Sequence, residues 1–182
     1  MRRSLILMMH FAAAAGLVAL ATSPALADPS SDVINATIAT TKAPSYHLTM
    51  SSPGTGTSEG DFVNPNKMHM MTKDVESIVI GSTMYLKIAG KWKKMDAPGL
   101  WSEPADVVKK MQAHRADFSS SDLGMRTVGG VPYHAYLVTD NKKHTKETIY
   151  VDSAGRLGRV ETSGITMTFS KYGENVSIVP PM

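Results

Sequence analysis

The chain has 182 residues, with 19 Lys and Arg against 16 Asp and Glu, and no Cys. That length suits one domain with a real core, and the missing Cys rules out disulfides, thiol nucleophiles and lipid attachment through a thiol. A formal net charge of +3 gives no electrostatic case for binding nucleic acid.

Residues 1–27 read as an export signal. Arg2 and Arg3 form a positive n-region, and residues 5–20 are apolar except for His10. Ser23-Pro24-Ala25-Leu26-Ala27 then places small residues at the −3 and −1 positions, which predicts cleavage after Ala27. The apolar run is shorter than a spanning helix needs, and Pro24 follows it closely. The Arg pair lacks the rest of a twin-arginine motif. The expected product is a single domain over 28–182 that is periplasmic or secreted from a bacterial cell. The cut removes two basic residues and no acidic one, so this domain is close to neutral.

The mature chain opens on a helix. Ser30, Ser31 and Asp32 offer caps, and Val33, Ile34 and Ile38 fall on one side. Lys42-Ala43-Pro44 ends it. Tyr46, Leu48 and Met50 alternate with His47 and Thr49 as a first strand. Residues 53–57 are rich in Gly and read as a loop. Residues 61–63 and 67–72 read as one strand interrupted at Asn64-Pro65-Asn66. Strands over 76–80, 83–89 and 92–95 follow, joined by Gly81-Ser82 and Gly90-Lys91 turns into a meander. A second helix is expected near Ser102–His114, with Pro104 in its first turn and Val107, Val108 and Met111 on its apolar side. Strands resume over 123–128, 133–139, 145–151, 156–162 and 165–170, with a last one at 175–179 before Pro180-Pro181.

The expectation is a mainly β, α+β domain of about ten antiparallel strands with two helices. A sheet of successive hairpins this long twists and curls rather than staying flat. The helices are the natural filling for its concave face. Alternation turns Leu48, Met50, Met70, Met84, Leu86, Ile88, Leu137, Ile149, Val160, Met167 and Phe169 inward, with Met111 joining them from the second helix. Lys87, Lys146, Thr166 and Thr168 turn outward.

The order helix, strand pair, meander, inserted helix, longer meander resembles the bacterial lipoprotein-carrier superfamily, the LolA-like and LppX/LprG-like proteins. Local phrases carry the resemblance in the same order: Ser45-Tyr46-His47, Asn64-Pro65-Asn66-Lys67-Met68-His69-Met70, Ile78-Val79-Ile80-Gly81 before Lys91-Trp92, Gly130-Val131-Pro132, Val151-Asp152 before Gly155-Arg156-Leu157, and Val176-Ser177-Ile178. The resemblance covers roughly residues 30–181. It implies an unclosed half-barrel whose helices cover a cavity for acyl chains of a lipid or lipidated protein. The expected state is a monomer, with a membrane surface as a transient partner. The chain departs from lipid-anchored members in lacking the Cys, and no residue matches the charged lid latch of the best-known carrier. The inward residues named above are then the candidate cavity lining. Each buried acyl methylene contributes about 0.8 kcal/mol, so a long chain needs no specific hydrogen bond. Met suits such a lining because it is flexible and polarizable. The same side chains would equally serve as plain core against the helices, which makes the domain an interaction module with a filled interior.

Rival chemistries have less behind them. Met68-His69-Met70-Met71 carries soft ligands suited to Cu(I). In a strand, however, Met68 and Met70 face one way and His69 and Met71 the other. His144 and Glu147 are three apart, which in a strand points them to opposite faces and speaks against a zinc pair. No Gly-x-Ser-x-Gly or His-Glu-x-x-His motif occurs, so the chain does not read as an enzyme and calls for no cofactor. Lys91, Lys93, Lys94, Lys109 and Lys110 read as a solvated face, with anionic lipid as the alternative partner. Trp92 and Trp101 flank that segment.

Overall fold

The computed structural model describes residues 28–54, 56–98, 106, 109 and 112–181. The expected signal over residues 1–27 lies outside them. So do Trp101, Val107, Val108, Lys110 and Met111.

Helix α1 spans Pro29–Lys42. It starts one turn earlier than the Ser30–Asp32 reading. Asp28 is the cap, accepting a hydrogen bond from the Ser30 N–H at 3.2 Å, and Pro29 sits at the first helical position. Asp32 in the first turn and Lys42 in the last suit the helix dipole. The helix stops at Ala43, which is extended before Pro44.

Eleven strands follow: β1 (Ser45–Ser52), β2 (Gly56–Val63), β3 (Lys67–Met71), β4 (Glu76–Ile80), β5 (Thr83–Ile88), β6 (Lys91–Asp96), β7 (Phe118–Val128), β8 (Val131–Asp140), β9 (Thr145–Val151), β10 (Leu157–Thr162) and β11 (Ile165–Ser170). They form one antiparallel sheet in the order β6-β5-β4-β3-β2-β1-β11-β10-β9-β8-β7. Every neighbour is a hairpin partner except β1 and β11, which join the two meanders. The sheet is an unclosed half-barrel with β6 and β7 at its edges. A 3₁₀ turn at Arg115–Asp117 leads into β7. Before it, the described residues Asp106, Lys109, Gln112 and Ala113 are helical, and the rest of the expected second helix lies outside the described residues.

Three expectations are corrected. The segment read as one strand interrupted at Asn64-Pro65-Asn66 is two strands folded on each other, with Val63 opposite Lys67. The Asn64 side chain donates to the Thr41 and Ala43 carbonyls, which ties this turn to the end of α1. Strand β7 begins at Phe118, five residues before the expected start. Its Ser119-Ser120-Ser121-Asp122 run carries no apolar alternation but pairs along β8. The last expected strand, 175–179, joins no ladder. Instead Ile178 is buried against Ile78 and Tyr85, with Val176 beside it. The tail therefore covers the sheet face opposite α1. In the β7–β8 turn, Gly129 and Gly130 both have positive φ (59° and 82°), as a two-residue hairpin with matching twist requires.

The main core lies between α1 and β8–β10: Val33, Ala36, Tyr136, Val138, Ile149, Val151, Leu157 and Val160, flanked by Met167 and Phe169. A polar clasp fixes the helix at its far end. The Thr40 hydroxyl, 3% exposed, accepts from the Leu157 N–H at 3.0 Å and meets the Tyr172 hydroxyl at 3.1 Å. Tyr172 donates on to the Leu157 carbonyl at 2.6 Å, and the Arg156 guanidinium lies over its ring. Thr40→Val keeps the shape but strands the Leu157 N–H. We expect it to cost about 1–3 kcal/mol. Thr40→Ser, which keeps the hydroxyl, should cost less in chemical denaturation. Equal losses in the two variants would show that the hydroxyl does not matter.

Candidate functional site

Between α1 and the sheet lies a cavity of about 310 Å³. Ser30, Val33, Ile34 and Thr37 form its roof. Phe118 and Ser120 of β7, Val138 of β8, Glu147 and Ile149 of β9, Leu157 and Val160 of β10, and Met167 and Phe169 of β11 form its floor. Arg115 closes one side. The space holds about ten water-sized or methylene-sized groups. It falls at the small end of ordinary ligand pockets.

The register decides which predicted residues meet. Leu48 opposes Phe169 and Met50 opposes Met167. Val160 opposes both Met167 and Ile149. In the other meander Leu48 and Met70 flank Gly60, Ser77 links Met70 to Leu86, and Ile88 follows Leu86 by alternation. Met84 opposes Val79 on the same side. All these residues share the face that α1 covers. Ile149, Val160, Met167 and Phe169 line the cavity directly, whereas Leu48 and Met50 lie one strand beyond it. Met70, Met84, Leu86 and Ile88 lie on the same face but three or more strands away, outside this cavity. Met111 lies outside the described residues.

Leu137 is on the wrong face. It opposes Thr148, while its neighbours Tyr136 and Val138 oppose Ile149 and Glu147. Strand β8 carries apolar residues on both sides, Ala135 and Leu137 against Tyr136 and Val138, so alternation alone cannot choose between them. Val138 takes the inner place. Sequence reading also misses Ser30, Thr37, Arg115, Phe118, Ser120, Glu147 and Leu157 as lining. For Phe118 and Ser120 the cause is the displaced start of β7.

The rim is polar. The Arg115 guanidinium donates to the Asp28 carboxylate and to the Ser31 hydroxyl, joining the 3₁₀ turn to the start of α1. Beside it, Ser31, Asn35, Ile38 and Gln112 border a shallower groove of about 330 Å³ that shares Ile34 and Arg115 with the cavity. Deeper in, the Tyr136 hydroxyl donates to Asp32 at 3.0 Å; burial, then this bond, pushes the phenol well above its ordinary range. Burial also raises Tyr46 and Tyr172 to about 12. Glu147 is held above the usual carboxylate range, first by desolvation and then by the charge of Asp140.

The opposite face carries His47 and His69, whereas His134 lies on the α1 side, stacked on Tyr136. His47 meets Asp61 at 2.8 Å, and His69 meets Glu76 at 3.0 Å. Glu76 also accepts from Lys87 at 2.9 Å; that bond, then the one to His69, lowers its carboxyl. Met68 and Met70 oppose Phe62 and Gly60 on the α1 side, so they do not converge with His69. His144 has a positive φ and precedes β9 rather than belonging to it. Among the described residues no group of three or more His, Asp or Glu side chains could hold a metal ion. Lys91 and Lys93 of β6 share the α1 side with Ile88 and Leu86, whereas Lys94 opposes Tyr85 on the other. They do not make one basic patch. Lys87 lies 5.4 Å over the Trp92 ring. Among the described residues no helix is long and apolar enough to cross a membrane.

No protein-family model matches the chain, and no curated protein does. Solved structures do. The lipoprotein LppX of Mycobacterium tuberculosis superposes with a TM-score of 0.60 at 15% identity, over 82% of this chain and 97% of that one. LprF of Mycobacterium bovis gives 0.60 at 15%, over 84% and 96%. The MucA/MucB complex of Pseudomonas aeruginosa gives 0.54 at 13%, over 82% of this chain and 58% of the matched one. The chain has the fold of these proteins, and the resemblance read from its order of elements holds.

Proposed function

We propose that this chain, built on the fold of LppX and LprF, is an exported binding protein that holds the acyl chain of a lipid or another apolar ligand between α1 and β7–β11. The observation that carries the reading is the mainly apolar cavity of about 310 Å³. The cavity opens to solvent, so its apolar lining is hydrated, and an apolar ligand gains by displacing that water. The signal read over residues 1–27 supports a place outside the cytoplasm. The absence of catalytic motifs fits binding rather than turnover.

Magnitudes shape the ligand. About ten buried methylenes give roughly 8 kcal/mol of transfer free energy. Association costs at least about 4 kcal/mol of that. At most about 4 kcal/mol is left, so one chain alone binds no tighter than about millimolar, and polar contacts at the rim must supply the rest.

Titration with the uncharged fluorophore N-phenyl-1-naphthylamine tests this. The expected result is saturable, one-site enhancement that nine- to ten-carbon alkyl compounds displace. No enhancement from folded protein would favour the filled interaction module instead. That reading has its own support in the MucA/MucB complex, where a related fold is bound to a protein.

A further inference from the structure

Glu147 is an odd residue to find in this cavity. It lies on the face that α1 covers, opposite Val138 on one side and Thr162 on the other, two residues from buried Ile149. Its side chain lines the cavity among Val138, Ile149, Val160 and Phe118. Among the described residues its carboxyl has no hydrogen bond and no ion pair. Drawing a carboxylate partly out of water without a partner costs free energy, and desolvation raises this half-buried one.

The charged groups around it are already engaged. Arg115, which lines the same cavity, gives its guanidinium to Asp28 and Ser31. Asp140, the acid that acts on Glu147, accepts from the Lys142 and Lys143 backbone N–H groups and lies 3.7 Å from the Lys143 ammonium. Asp32 is held by Tyr136. The cavity lining thus holds one carboxylate without a partner, whereas its cation, Arg115, is already paired with the Asp28 carboxylate.

We infer that the ligand is an amphiphile whose polar end presents a hydrogen-bond donor, an ammonium most favourably and a hydroxyl next, to Glu147, and that alkyl carboxylates are disfavoured. This rests on the binding reading above, because only a cavity that admits an alkyl chain brings a head group to Glu147. The chain supplies non-specific transfer free energy, and Glu147 selects the head.

The test displaces N-phenyl-1-naphthylamine with nonylamine, nonanol and nonanoate at pH 7. Nonylamine should bind about tenfold or more tighter than nonanoate, the ratio one charge-assisted hydrogen bond gives, with nonanol between them. In Glu147→Gln, a near-isosteric change, the three affinities, each read against that variant's own fluorophore affinity, should close to within about threefold. Nonanoate binding as well as nonylamine in the unaltered protein overturns the inference and leaves the cavity reading standing. A preference for nonylamine that persists in Glu147→Gln also overturns it. Failure of the fluorophore and all three compounds to bind overturns the cavity reading and this inference together.

Discussion

Ser120→Phe should weaken binding of an apolar probe by about tenfold or more and leave the thermal midpoint unchanged or higher. Ser120 stands on β7 opposite Val138 and lines the cavity from the floor. Its hydroxyl has no hydrogen-bond partner among the described residues, so the change breaks no contact. A phenyl ring there occupies space that the ligand would otherwise take. Excluding only two methylenes removes about 1.6 kcal/mol of transfer free energy, slightly more than one factor of ten in affinity. Filling an apolar void and adding a good strand former both favour the folded state. Fluorophore titration and thermal unfolding on the same preparation separate the two effects. Unchanged affinity in a folded variant would mean that the ligand sits elsewhere.

The largest expected loss of stability is at Gly60. It lies in the middle of the sheet, opposite Leu48 on β1 and Met70 on β3. A Cβ built there would come within 2.3 Å of the His69 carbonyl oxygen and 2.3 Å of the Met70 sulfur. The thioether can swing away, but a backbone oxygen in a paired strand cannot. Strands β2 and β3 would have to part where the inner face is continuous. Overpacking costs about 1–3 kcal/mol in general, and a clash with backbone belongs at the top of that range. For a domain of this size, about 3 kcal/mol lowers the thermal midpoint by about 6–12 °C. Gly60→Ala should therefore unfold well below the parent in a thermal scan. A midpoint within a degree or two of the parent would show that β2 and β3 are not held in this register.

How much of this was legible in the sequence differs by feature. Most strands from Tyr46 to Ser170 announce themselves by alternation and by Gly-containing turns, because successive side chains turn to opposite faces of the sheet. Alternation fails where both faces are apolar, as at Leu137 and Val138, and where a strand carries a polar run, as at Ser119–Ser121. It fails again at Val176 and Ile178. These are apolar at strand spacing, yet they serve to cover Ile78 and Tyr85 rather than to pair. The fold class was accessible because the order of elements survives such local errors.

The site was less accessible. Ile149, Val160, Met167 and Phe169 are legible because apolar residues on the inner face must face something. The same argument selects Met70, Met84, Leu86 and Ile88, which share that face. They are not at the cavity, since the place of α1 over the second meander leaves no local mark in the strands. Glu147 and Arg115 were missed for another reason. Glu147, at strand spacing, reads as solvent-facing, and Arg115 sits in a 3₁₀ turn that carries no alternation. The place of Glu147 beside Val138 follows from the β8–β9 register, which no single segment encodes.

Native mass spectrometry of the protein purified from cells, followed by solvent extraction and identification of any bound lipid, tests the account most directly. The account predicts a discrete added mass that disappears on extraction and carries an alkyl chain. Repeated preparations of folded, empty protein that also take up no apolar fluorophore would contradict it.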